Sequence, residues 1–196
     1  MKLRSLFISL LLITLPVSAE VQTEESVIKE TTTAVLVQLN ENRDRLKNEP
    51  GYIKQLVNAL IIPHFDFELM SELVLGSYWQ KFEQPQQSCF ASDFRNLLVE
   101  RYAYILLSYD DQNISYAASK YIGNKGYKLV TQTISREGAK PLTIGYAMEL
   151  KDGEWKVVDL IIDEISLLRS YSGMFQSWIH TQGRDYFIDN FSECEL

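Results

Sequence analysis

The hydrophobic period of the chain changes twice, and those changes constrain the fold more than any single motif. From Glu25 to Leu46 the apolar positions Ile28, Val35, Leu36 and Leu39 recur at helical spacing. Arg43, Arg45 and Lys47 stand near the C-terminal end, where a helix dipole favours cations. Asn48-Glu49-Pro50 then starts a second helix that presents Tyr52, Ile53, Leu56, Val57 and Leu60 on one side and stops before Pro63. Asp66 is an N-cap for a third helix that runs through Leu75 and ends at Gly76. Pro85 opens a fourth with a large apolar stripe of Phe90, Phe94, Leu98, Tyr102, Ile105 and Tyr109. Such a stripe walls either a solid core or a cavity, and periodicity does not separate the two.

Beyond that stripe the period falls to two. Ser115 to Tyr121, Tyr127 to Arg136, Pro141 to Lys151 and Glu154 to Ile162 are rich in β-branched and aromatic residues, with turn sequences such as Glu137-Gly138 and Asp152-Gly153 between them. Leu142, Ile144, Tyr146, Met148 and Leu150 alternate with small or polar residues, so one face of that strand is apolar. From Ile165 the helical period returns with Leu168, Tyr171, Phe175, Trp178 and Ile179, and a last helix spans Asp185 to Cys194 after Gly183. Helices on both sides of an antiparallel meander specify an α+β domain, with helices packed on the concave face of a curved sheet.

The termini and charge narrow the function. Lys2 and Arg4, an apolar run from Leu6 to Leu15 and the small residues Val17-Ser18-Ala19 read as a secretory signal peptide over residues 1–19, leaving one domain over residues 20–196. The apolar run is too short to span a bilayer. Removing Lys2 and Arg4 from 19 basic residues leaves 17 against 26 acidic ones, a net charge of −9 that repels nucleic acid and anionic lipid surfaces. The two cysteines, Cys89 and Cys194, show no metal-ligand spacing, and either pair with each other or stay as free thiols.

Catalytic constellations are missing from the sequence. His64 and His180 are the two histidines and neither lies in a zinc-binding pattern, so no metal site is expected. No nucleophile elbow or phosphate loop is present. The one enzymatic candidate is Asp159, which simple alternation places on the face of Trp155 and Val157, where burial would raise its pKa. An isomerase or dehydratase on a cone-shaped fold would use it as acid or base; the alternative role is a hydrogen-bonded structural carboxylate. A protein-binding module with a filled core is a third reading.

The ordered set Leu75-Gly76-x-Tyr78-Trp79, Gln86 before Cys89, Phe90 and Phe94, Leu98, Tyr102 and Tyr109, Trp155-x-x-x-Asp159, Ile165-Ser166 and Gly183 resembles the MlaC family of periplasmic phospholipid-binding proteins, also called toluene-tolerance proteins. The resemblance covers nearly the whole chain after residue 19. Gln87, where a basic residue is expected, and Glu164, where a glycine is expected, depart from the pattern. The resemblance implies a fold similar to nuclear transport factor 2, a pocket for phospholipid acyl chains and no catalysis or cofactor. It also implies a monomeric periplasmic shuttle between an outer-membrane lipoprotein–porin complex and an inner-membrane ABC-type transporter with a hexameric lipid-binding ring, maintaining outer-membrane lipid asymmetry. At about 0.8 kcal/mol per methylene, two chains of roughly thirty methylenes lose more than ~20 kcal/mol if held in water, so such a carrier must enclose them in on the order of 1,000 Å³. Phe65, Leu69, Leu73, Trp79, Phe90, Phe94, Leu98, Tyr102, Ile144, Tyr146, Met148, Val157 and Phe175 are the residues expected to touch the tails.

Overall fold

Asn42 divides what the periodicity reads as one N-terminal helix. In the computed structural model, which describes residues 22–109, 112–124 and 126–191, α1 (Glu24–Glu41) is followed by a separate α2 (Arg43–Asn48). Asn42 is the C-cap of α1: its backbone N–H and its side chain both donate to the Gln38 carbonyl, at 3.1 and 3.0 Å. The proposed signal segment, residues 1–19, lies outside the described residues.

After α3 (Tyr52–Leu60) and a 3-10 turn at Ile62–His64, α4 (Phe67–Leu75) starts at the expected cap. Asp66 accepts from the Leu69 N–H at 2.9 Å and from Lys151 Nζ at 2.6 Å. Burial alone would raise its pKa, but the Leu69 N–H and the Lys151 ammonium outweigh that and hold the carboxyl below its ordinary value.

Gly76 ends α4 with φ of 55°, and a Cβ there would stand 3.1 Å from Gln176 Nε2, so both backbone and space call for glycine. A 3-10 segment, Gly76–Lys81, leads to α5 (Gln84–Tyr102), whose start is a capping box between Glu83 and Gln86. Gln87 donates to the carbonyls of Trp79 and Phe82 at 2.9 and 3.2 Å, tying down the segment that precedes its own helix. Cys89, on this helix, is disulfide-bonded, and the sequence's other cysteine, Cys194, lies outside the described residues.

The sheet is an antiparallel meander in the order β1 (Asn113–Ile122), β2 (Tyr127–Ser135), β3 (Leu142–Lys151), β4 (Glu154–Ile162) and β5 (Ile165–Ser166). Asp152 and Gly153, with φ of 52° and 84°, form the two-residue turn that the Asp-Gly pair predicts. The short β5 corrects the expectation of a helix from Ile165: α6 (Leu167–Gln182) begins two residues later, capped by Ser166. The β4–β5 turn holds Asp163 and Glu164 at φ of 46° and 71°. A left-handed backbone at Glu164 explains why glycine suits this place. Glu164→Gly is expected to raise stability by up to about 1 kcal/mol, read as a higher urea midpoint. The last helix, α7, is described over Arg184–Phe191, and residues 192–196, where the expected end at Cys194 falls, lie outside the described residues.

Cross-strand register decides which side chains face the helices. Met148 pairs with Val157 and Ala147 with Asp159, leaving Val158 as the extra residue of a bulge. Alternation restarts after Val158, so Leu160 follows Val157 on the Tyr146 face while Asp159 joins Ala147 on the other. The sequence expectation that Asp159 shares the face of Trp155 and Val157 is therefore corrected.

Three apolar clusters fill the interior. An aromatic one joins α4, α5, α6 and α7 around Phe90, Phe94, Phe175 and Phe187. A second packs α1 against α3 and the end of α5 through Val35, Leu39, Ile53 and Val99. The third sets Val27 and Ile28 of α1 on Val130, Met148 and Val157 of the sheet. At its N-terminus α1 is fixed to the sheet by the buried Glu24, which accepts from Ser119 Oγ and from Lys128 Nζ, the latter at 2.8 Å.

Candidate lipid-binding cavity

The stripe along α5 divides at the helix end. Phe90 and Phe94 stack with centroids 5.9 Å apart, and both pack edge-on against Phe175 of α6. This half is solid core. At Ala103 the backbone tightens to a 3-10 helix, Ala103–Ser108, whose turn of three residues rotates the following side chains off that face. Ile105, 52% exposed, and Tyr109 consequently face an open space instead of α6.

That space has two lobes. The larger, about 310 Å³, lies between α1, the 3-10 segment after α5 and the face of β1–β4; Val35, Leu39, Leu106, Ile114, Ile134 and Ile144 are among its walls. The smaller, about 190 Å³, runs from Val57 and Leu98 to Leu160 and Ile162. Phe65, Ile105, Ile144 and Tyr146 line both. Since these side chains stand between the lobes, they occupy room that the estimate of ~1,000 Å³ left empty. Arg136 and Lys140 are exposed lining residues and mark where the larger lobe meets solvent.

The expected tail-contacting residues distribute unevenly. Phe65, Ile144 and Tyr146 line both lobes, Val157 the larger, and Leu98 and Tyr102 the smaller. Met148 shares their strand face but is fully buried under α1. Trp79, Phe90, Phe94 and Phe175 sit in the aromatic core. Leu69 is half-buried and Leu73 is 37% exposed on α4, and neither lines a lobe. Many further walls come from α1, the 3-10 segment, the end of α3 and strands β1 and β2. Ile28, Val35, Leu36 and Leu39 carry a visible signal, the apolar face of the first helix.

Polar groups in this space are few. Gln132, 2% exposed, projects from β2 into a cluster with Thr32, Tyr116 and Tyr146. Burial pushes the Tyr146 phenol well above its usual pKa, so it stays neutral. Burial, then the neighbouring Lys156 ammonium, lowers the pKa of His64 at the edge of the larger lobe. No group of His, Cys, Asp and Glu among the described residues is arranged to hold a metal.

Asp159 faces away from the cavity. Its oxygens accept from Ser166 Oγ at 2.6 Å and from the Leu168 N–H at 3.0 Å, so it fixes the start of α6. The two halves of the Trp155-x-x-x-Asp159 and Ile165-Ser166 pattern thus meet in one helix-start clamp. Burial raises the Asp159 pKa, with the Ser166 and Leu168 bonds opposing it. A raised folded value means that its stabilising contribution is present below the unfolded pKa of 3.8 and is lost as pH rises through the folded one. Asp159→Asn is expected to keep both fold and lipid retention, whereas Asp159→Ala should lose about 1–2 kcal/mol in denaturant unfolding. Lost lipid retention in a folded Asp159→Asn protein would contradict the structural role.

No helix among the described residues is long and apolar enough to cross a membrane. The chain is 27% identical over 173 residues to the intermembrane phospholipid transport system binding protein MlaC of Haemophilus influenzae, covering 82% of this chain and 81% of that one. It is 26% identical over 165 residues to the toluene tolerance protein ttg2D of Pseudomonas putida, covering 84% and 76%. A solved phospholipid-binding protein from Ralstonia solanacearum, in complex with a phospholipid, shares the fold with a TM-score of 0.76 at 24% identity, over 85% of this chain and 93% of that one. The sequence model described as MlaC protein matches residues 29–193, and the chain belongs to the MlaC family.

Proposed function

We propose that this protein is a periplasmic phospholipid carrier that encloses acyl chains and shuttles phospholipid between the outer and inner membranes, maintaining outer-membrane lipid asymmetry. The observation that carries this reading is the two-lobed cavity, with apolar walls from α1, the 3-10 segment and one sheet face. Acyl chains need shielding from water and no specific polar contacts, which is what such walls supply. A headgroup held near Arg136 and Lys140 stays in water, so selectivity among headgroups is weak. The relatives named for intermembrane phospholipid transport and for toluene tolerance support the same reading.

Residues 1–19 are then the export signal, and the remainder acts as a monomer without chemistry of its own. Its partners are an outer-membrane lipoprotein–porin complex and an inner-membrane ABC-type transporter with a hexameric lipid-binding ring. Phe65, Leu98, Tyr102, Ile144, Tyr146 and Val157 contact the tails directly. Solvent extraction of protein purified from cells should recover diacyl phospholipid in near-stoichiometric amount, with mixed headgroups. Recovery of a single non-lipid metabolite would contradict the carrier.

A further inference from the structure

The larger lobe holds one cluster with more hydrogen-bond donors than bonds. Gln132 Nε2 donates to Thr32 Oγ1 and to Tyr116 OH, both at 3.1 Å, and Tyr146 OH donates to Gln132 Oε1 at 2.8 Å. Two amide N–H and three hydroxyl protons share these three bonds. Turning the amide over exchanges donor for acceptor but leaves two protons without a partner in either orientation. One helical position before Thr32, Thr31 Oγ1 is buried and has no hydrogen-bond partner among the described residues. Thr31, Thr32, Gln132 and Tyr146 all line the larger lobe.

A donor that meets apolar walls without an acceptor is costly, so a one-sided surplus at a cavity wall points to an acceptor brought by the ligand. The ligand group must accept without donating, and it must arrive attached to an apolar chain. An ester carbonyl meets both conditions. The position suits it as well: Gln132 and Ile134 share one side of β2 and Arg136 follows just past its end, which sets Gln132 about 13 Å along the chain from the solvent-exposed Arg136 at ~3.3 Å per residue. That depth is beyond the headgroup at the rim and within the span of the acylated part of a lipid.

We propose that the Gln132 cluster is a subsite for an ester carbonyl of an acylglycerol lipid, fixing how far the chains slide into the cavity. The proposal rests on the carrier reading above. It is tested with two probes of equal chain length and headgroup, a diester phosphatidylglycerol and its diether analogue, each displacing a fluorescent fatty-chain reporter from the full protein.

The diester is expected to bind about threefold to tenfold more tightly, the range for one hydrogen bond. Gln132→Met combined with Thr32→Val and Tyr146→Phe removes the amide and both cluster hydroxyls that line the lobe, and should bring the ratio close to one, with thermal melts reporting the fold. Equal binding of the two lipids by the unsubstituted protein overturns the subsite alone and leaves the carrier standing. So does an unchanged ratio in the folded triple variant. If that variant does not fold, the ratio in the unsubstituted protein decides. Failure to bind either lipid contradicts the carrier reading, and the subsite with it.

Discussion

Replacing Ile144 with tryptophan is expected to abolish retention of a diacyl lipid while the protein stays folded. Ile144 is the third residue of β3, lines both lobes and pairs with Gln132 on one side and Ile162 on the other. A side chain here that grows toward the helices enters empty space rather than packed core, so the overpacking cost of ~1–3 kcal/mol seen in solid interiors is largely avoided. The lobes themselves are blocked. Lipid content after purification should fall at least tenfold, with a circular dichroism spectrum and melting temperature close to those of the unsubstituted protein. Full lipid content in the variant would mean that the tails lie elsewhere.

Phe94→Ala is expected to do the reverse, unfolding the protein far more readily. Phe94 has no accessible surface and packs within 5.4 to 5.9 Å, centroid to centroid, of Tyr171, Phe175 and Phe90. Truncating a buried phenylalanine costs about 3–5 kcal/mol through lost transfer energy and the cavity left behind. In a chain of this size that lowers the melting temperature by on the order of 10 °C. The damage falls on the seam between α5, α6 and α7, away from the lobes. Differential scanning calorimetry checks it, and a shift of only 1–2 °C would contradict a solid core at this end of the stripe.

The contrast between these two substitutions also shows what was legible before the structure. Helices and strands followed from period, and caps such as Asp66 and the Asp152-Gly153 turn from chemistry that acts over three or four residues. Local bonds explain the misses as well. Asn42 caps the end of the first helix with its backbone and side chain on one carbonyl, and Val158 shifts the register of β4 without leaving any mark in the alternation. The division of the aromatic stripe is a longer-range matter. Phe90 and Tyr109 are alike in composition, and only the change to 3-10 geometry after Tyr102, together with the placement of α6 and α7, makes one a core residue and the other a cavity wall.

The resemblance motifs are structural for the same reason. Gly76, Gln86, Asp159, Ser166 and Gly183 set helix starts and stops around the cavity, and of the motif residues Leu98, Tyr102 and Tyr109 alone line it. Gln87 and Glu164, the two departures, are accommodated locally by carbonyl bonds and by a left-handed turn.

Native mass spectrometry of the protein purified from cells under gentle conditions tests the central claim most directly. The carrier account predicts a dominant species heavier than the polypeptide by the mass of one diacyl phospholipid, released on collisional activation and lost in Ile144→Trp. A lipid-free monomer as the sole species would contradict it.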